Sequence, residues 1–115
     1  MYHAQYLSPM IPSFDIPKTV SFFTDLLSFE VVRDDATYVI LQKDNLNIHI
    51  LRAGDIGEME FYLEVDDLDA VWQQMKDKLG TIKIKPPFQQ PYGMCEIHVA
   101  VPETKTLLFI GQPLA

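Results

Sequence analysis

The chain has 115 residues, the size of one domain with a single core. It is 48% hydrophobic and 22% charged, which excludes a disordered, collagen-like or coiled-coil chain. A net charge of −7, from nine basic and sixteen acidic residues, argues against a nucleic-acid partner and favours cations.

The N-terminus, Met1-Tyr2-His3-Ala4-Gln5, lacks the basic stretch and apolar run of a signal peptide. The spacing then predicts a helix over 17–27, where Val20, Phe23 and Leu27 share a face. Pro17 suits its first turn, and Asp15 places a carboxylate at its positive end. Strands are predicted at Phe29–Val32, Thr37–Gln42 and Leu46–Leu51, separated by polar turns. The second half repeats the order. A strand at Glu60–Val65 leads to a helix over 67–80, with Asp67 as N-cap and Gly80 just past its end. Strands at Thr81–Ile84, Cys95–Val101 and Thr106–Ile110 follow. No apolar run approaches the roughly 20 residues of a membrane helix. The single cysteine, Cys95, excludes an internal disulfide and a thiolate zinc site, and it alternates with apolar neighbours as a buried small hydrophobe. The five glycines form no phosphate-binding loop. The expectation is a soluble, cytoplasmic α+β protein with no membrane partner.

A shift of 52 positions lays Asp15 on Asp67, Phe23 on Met75 and Leu27 on Leu79. The chain therefore reads as two tandem βαβββ modules, about 1–55 and 56–115, within one domain. Each module has one sheet face under its helix and one bare face. Paired modules form a cleft-lined mixed sheet with the helices outside.

Strand parity assigns the bare faces. It puts Glu60, Tyr62 and Glu64 on the cleft, opposite Phe61, Leu63 and Val65. It also puts Asn47, His49 and Leu51 there, and Met94, Glu96 and His98. No basic residue lies between Arg52 and Lys76, whereas Glu58, Glu60, Glu64, Asp66, Asp67 and Asp69 are acidic. Such a cleft attracts a cation. The plain reading of each residue is a solvated strand position or an ordinary rim side chain.

The stretch Ile11–Phe29 resembles the first-helix signature of the vicinal oxygen chelate superfamily. In that signature an Asp opens the helix, a Phe-aromatic pair sits within it, and Leu-x-Phe ends it. Val65–Ala70 resembles the matching second-repeat signature. Within the superfamily, Tyr38–Leu46 and Gln90-Pro91-Tyr92-Gly93-Met94 are similar to segments of bleomycin-resistance proteins. The loop Val101–Lys105 departs from the family's Asp-Pro-x-Gly.

The resemblance implies the glyoxalase/bleomycin-resistance fold. It places the superfamily's four metal-ligand positions on Ser8, His49, Glu60 and Leu108. Serine is a poor ligand and leucine has no lone pair, so the set is incomplete. The implied protein is a non-catalytic binder without cofactor. It sequesters a cationic, partly planar small molecule, with Tyr38 and Tyr92 as stacking rings beside the cleft residues. The rival reading is a metal-dependent glyoxalase-like lyase or thiol transferase using His49, Glu60 and His98. The resemblance further implies a homodimer whose N-terminal strand crosses to the partner through Ser8-Pro9-Met10-Ile11-Pro12.

Overall fold

A computed structural model describes residues 1–54 and 57–114. The first repeat comprises β1 (Met10–Ser13), α1 (Ile16–Ser21), β2 (Glu30–Asp34), β3 (Tyr38–Lys43) and β4 (Leu46–Arg52). The second comprises β5 (Met59–Glu64), α2 (Leu68–Met75), β6 (Ile84–Gln90), β7 (Met94–Ala100) and β8 (Thr106–Pro113). The repeat boundary expected at 55/56 lies outside the described residues. Each repeat forms its own four-stranded mixed sheet, ordered β1-β4-β3-β2 and β5-β8-β7-β6. β1 runs parallel to β4 and β5 parallel to β8; the other pairs are antiparallel. The two βαβββ repeats are those the sequence duplication requires.

Both helices start where the sequence places an aspartate. Asp15 Oδ1 accepts from the Lys18 amide at 3.2 Å, and Asp67 Oδ1 from the Ala70 amide at 3.0 Å. Each satisfies an amide that has no partner within its helix. Past Ser21, α1 widens into a π-helical turn over Phe22–Leu26, which carries Phe22, Phe23 and Leu26 into the core. α2 tightens into a 3₁₀ turn over Lys76–Lys78, and Gly80 follows with φ +54°, a conformation that suits glycine.

One hydrophobic core joins the two repeats. Ile11, Phe23, Leu41 and Ile50 from the first meet Met75, Ile97, Leu108 and Ile110 from the second. β5 shows the expected alternation, with Phe61 and Leu63 against this core and Glu60, Tyr62 and Glu64 exposed.

One strand differs from expectation. Thr81 lies in a turn, and pairing begins only at Ile84, continuing through Pro86 and Pro87 to Gln90. β6 is the outer strand of its sheet, so prolines without an N–H are tolerated on its free side. The register slips between Lys85 and Phe88, where the chain bulges around the prolines. Among the described residues, no helix is long and apolar enough to cross a membrane.

Candidate functional site

The second sheet gathers most of the chemistry on its concave face. Its register sets Tyr62, Phe109, His98 and Lys85 in one row across four strands. The next row holds Glu64, Gly111, Glu96 and Phe88. Glu96 is the centre of this surface and is only 2% exposed. Its Oε2 accepts from the Tyr92 hydroxyl at 2.8 Å. Its Oε1 accepts from Gln90 Nε2 at 3.1 Å and lies 2.8 Å from His98 Nε2. Burial works to raise the Glu96 carboxyl. The hydrogen bonds from His98, Tyr92 and Gln90, with the charge on His98, outweigh burial and hold it below the usual carboxylate range.

Aromatic rings surround the carboxylate. The His98 ring stacks on Phe109 with centroids 3.9 Å apart and an 18° tilt. It meets Phe88 edge to face at 4.9 Å. The Lys85 ammonium sits 3.7 Å above the Phe88 ring. Tyr62 lies across Gly111: a Cβ at that glycine would fall 2.8 Å from the ring edge and hydroxyl. Only a bare backbone lets the ring settle there. The Tyr62 hydroxyl donates to Glu64 Oε1 at 3.1 Å. Burial, the Glu64 bond and charge, and the nearby Glu96 and Tyr92 push the Tyr62 phenol up to about 12. Tyr92 is also raised, by burial and by the bond to Glu96 and its charge. The turn before β7 presents Tyr92 outward, with Gly93 at φ +82°.

The first sheet builds a different group. His49 on β4 has the Tyr38 hydroxyl at Nδ1 and the Tyr6 hydroxyl at Nε2, the latter at 2.7 Å. A neutral imidazole has one N–H and one lone pair, so the two phenols meet it in opposite roles. Tyr6 belongs to an N-terminal segment lying along β4. There the His49 amide donates to the Pro9 carbonyl at 3.0 Å, and Ser8 Oγ donates to the Asn47 carbonyl at 2.9 Å.

The structure thus brings together Tyr62, Glu64, Tyr92, Glu96 and His98, and separately Tyr38 and His49. Glu60 stands apart: it precedes Glu64 on β5 by four residues, about 13 Å of strand, and pairs with Leu107.

The superfamily's metal does not fit the residues present in one chain. Both His49 nitrogens are engaged by phenols, and the Ser8 hydroxyl is spent on backbone carbonyls. Leu108 is fully buried in the core rather than on the concave face, which corrects its expected place. The concave residue beside Glu60 is Leu107, equally without a donor atom. The alternative set fares no better. His98 is tied to Glu96 in the second sheet and His49 to tyrosines in the first. Among the described residues, no three His, Cys, Asp or Glu side chains gather at metal-binding distance.

Sequence reasoning missed five residues of this surface: Phe88, Gln90 and Gly111 beside Glu96, and Lys85 and Phe109 beside His98. Phe109 and Gly111 share strand parity with one another, so the signal for them was present in β8. Lys85 and Phe88 have no regular parity because the bulge separates them.

Two βαβββ repeats, with helices on a shared core and polar concave faces, define the vicinal oxygen chelate fold. Solved structures place the chain within it and show where its likeness lies. A bleomycin resistance determinant encoded on the transposon Tn5 superposes with a TM-score of 0.80 at 26% identity, over 96% of this chain and 98% of that one. A bleomycin-binding protein complexed with bleomycin gives 0.77 at 27% identity, over 95% and 98%. A lactoylglutathione lyase from Agrobacterium tumefaciens shares the fold alone, with 0.77 at 14% identity over 96% and 94%. The chain has the fold of the glyoxalase/bleomycin-resistance superfamily and is similar within it to bleomycin-resistance proteins. No sequence-family model and no curated protein matches it.

Proposed function

We propose that the chain is a non-catalytic binding protein of the bleomycin-resistance type, which sequesters a cationic, partly planar small molecule in the cytoplasm. Tyr62, Glu64, Tyr92, Glu96 and His98 form the charged and aromatic floor of its cleft. Tyr38 and His49 belong to the opposing wall, and Glu60 to the rim.

The observation that carries this reading is the buried Glu96 carboxylate beneath partly exposed rings. A buried anion in an aromatic setting attracts cations strongly, because water screens it poorly. Flat rings add stacking area for a planar group. Capture of this kind breaks no bond and calls for no catalytic residue.

The functional unit we infer is a homodimer. Within one chain the two concave faces belong to separate sheets. An apolar hollow of about 340 Å³ beneath Tyr6 and Leu7 reaches Tyr62 but touches neither Glu96 nor His98. The carboxylate face is therefore an open surface that a second chain is suited to close. The first nine residues lie along β4 of their own chain, yet Tyr2, Tyr6 and Leu7 stay largely exposed, apolar surface that a second chain is suited to cover.

Isothermal titration with copper(II)-bleomycin and metal-free bleomycin tests the reading. Saturable heat at one ligand per chain is expected. Absence of binding to both removes the drug-capture function.

A further inference from the structure

The row holding Glu64 and Glu96 ends at Phe88, and the chain already has a cation there. Lys85 Nζ stands 3.7 Å over the Phe88 ring. Lys85 pairs across the ladder with His98, so its backbone faces the neighbouring row, yet its ammonium reaches sideways onto the aromatic face. The bulge between Lys85 and Phe88 brings the two side chains onto one surface. Phe88 is only half-buried, and Lys85 is exposed. The ring face therefore becomes open whenever the lysine swings away.

The geometry points to the Phe88 face as a seat for a ligand's ammonium or amidinium group, with Lys85 as a built-in occupant that any such ligand must displace. The inference rests on the reading of this face as a cation-binding surface, and it names where the cation goes. A ring attracts a cation through its quadrupole, and the attraction grows when anions stand nearby and water is scarce. Phe88 meets the first condition, being the ladder partner of buried Glu96. Lys85 takes the same contact without a bound molecule. It lowers affinity in two ways: it fills the seat, and its charge repels an incoming cation.

The test uses benzamidine, a planar amidinium, and benzamide, its neutral counterpart, each titrated into the full chain. Backbone amide shifts on β6 and β7 are followed by NMR. Benzamidine is expected to shift these amides, and Lys85→Met to bind it about two- to fivefold more tightly, the scale of one exposed cation–π contact. Benzamide should be indifferent to the substitution. Phe88→Leu should abolish the benzamidine response. Methionine keeps the unbranched stem at an exposed position, so Lys85→Met decides the matter even if Phe88→Leu folds poorly. Equal or weaker benzamidine binding by Lys85→Met, or no binding to that variant at millimolar concentration, overturns the proposal. The drug titration fails separately: benzamidine binding without bleomycin binding keeps the seat and removes the drug-capture reading, whereas bleomycin binding with no effect of Lys85→Met does the reverse.

Discussion

Replacing Glu96 with glutamine removes one charge and almost no volume, so its effect measures what the carboxylate does. Three side chains converge on Glu96: Tyr92, Gln90 and His98. A hydrogen bond to a charged group contributes roughly 1.5–3 kcal/mol net, against about 1 for a neutral one. The glutamine carbonyl retains the Oε1 contacts in their weaker neutral form. Its amino group faces Tyr92, whose hydroxyl must turn round to accept. The sum is a loss of about 2 kcal/mol at pH 7, or about 8 °C in melting temperature at roughly 4 °C per kcal/mol for a chain this size. The pH dependence follows from the lowered carboxyl. A group depressed in the folded state adds stability above its unfolded value, 4.5 here, and that stability is lost as pH falls through the folded value. Urea unfolding of both proteins from pH 7 to pH 3 should show a gap that closes below pH 4.5. An equal gap at pH 3 and pH 7, or none at pH 7, refutes the assignment of Glu96 as a stabilising buried anion.

The remaining expectations concern the tyrosines and the N-terminal segment. Tyr92→Ala should weaken copper(II)-bleomycin binding about five- to tenfold, the scale of one aromatic contact, and Tyr92→Phe much less; equal losses in calorimetry would assign the contact to the hydroxyl. Absorbance titration should find the Tyr62 phenol ionising near 12, and Glu64→Gln should bring it down. Because Tyr62 is raised, its contribution to stability is whole below pH 10 and is lost as pH climbs toward 12, which alkaline urea unfolding will register. Deleting residues 1–9 removes the Tyr6, Ser8 and Pro9 contacts to β4 and should convert a dimer into a monomer by sedimentation. A full-length chain that sediments as a monomer refutes the inferred assembly.

The helices were legible because their signals are local. Asp15 and Asp67 cap them, and each apolar stripe lands in the core. β5 and β7 were legible through alternation, which fixed the face of Tyr62, Glu64, Glu96 and His98. Alternation says nothing about height along a strand. Glu60 and Glu64 share a face, yet only Glu64 stands in the row of Glu96. β6 escaped because its prolines hide an edge strand whose period is broken by a bulge. Tyr6 escaped for another reason: its contact with His49 spans 43 residues and depends on the path of the N-terminal segment, which no periodicity encodes.

The duplication itself explains why the two concave faces differ. The shift that lays Asp15 on Asp67 lays Met10 on Tyr62. Met10 pairs with His49, and Tyr62 with Phe109, so His49 and Phe109 hold equivalent places. Across the next strand, Ile40 pairs with His49 and His98 with Phe109, which makes Ile40 the counterpart of His98. By the same register, Tyr38 pairs with Leu51 and Glu96 with Gly111, so Tyr38 is the counterpart of Glu96. One position thus carries a phenol in the first repeat and a carboxylate in the second, while the imidazoles, His49 and His98, stand on different strands of the repeat. The first arrangement contains no carboxylate, and it is closed by Tyr6. The second concentrates charge, and its glycine at the Leu51 position leaves room for Tyr62 to lie flat.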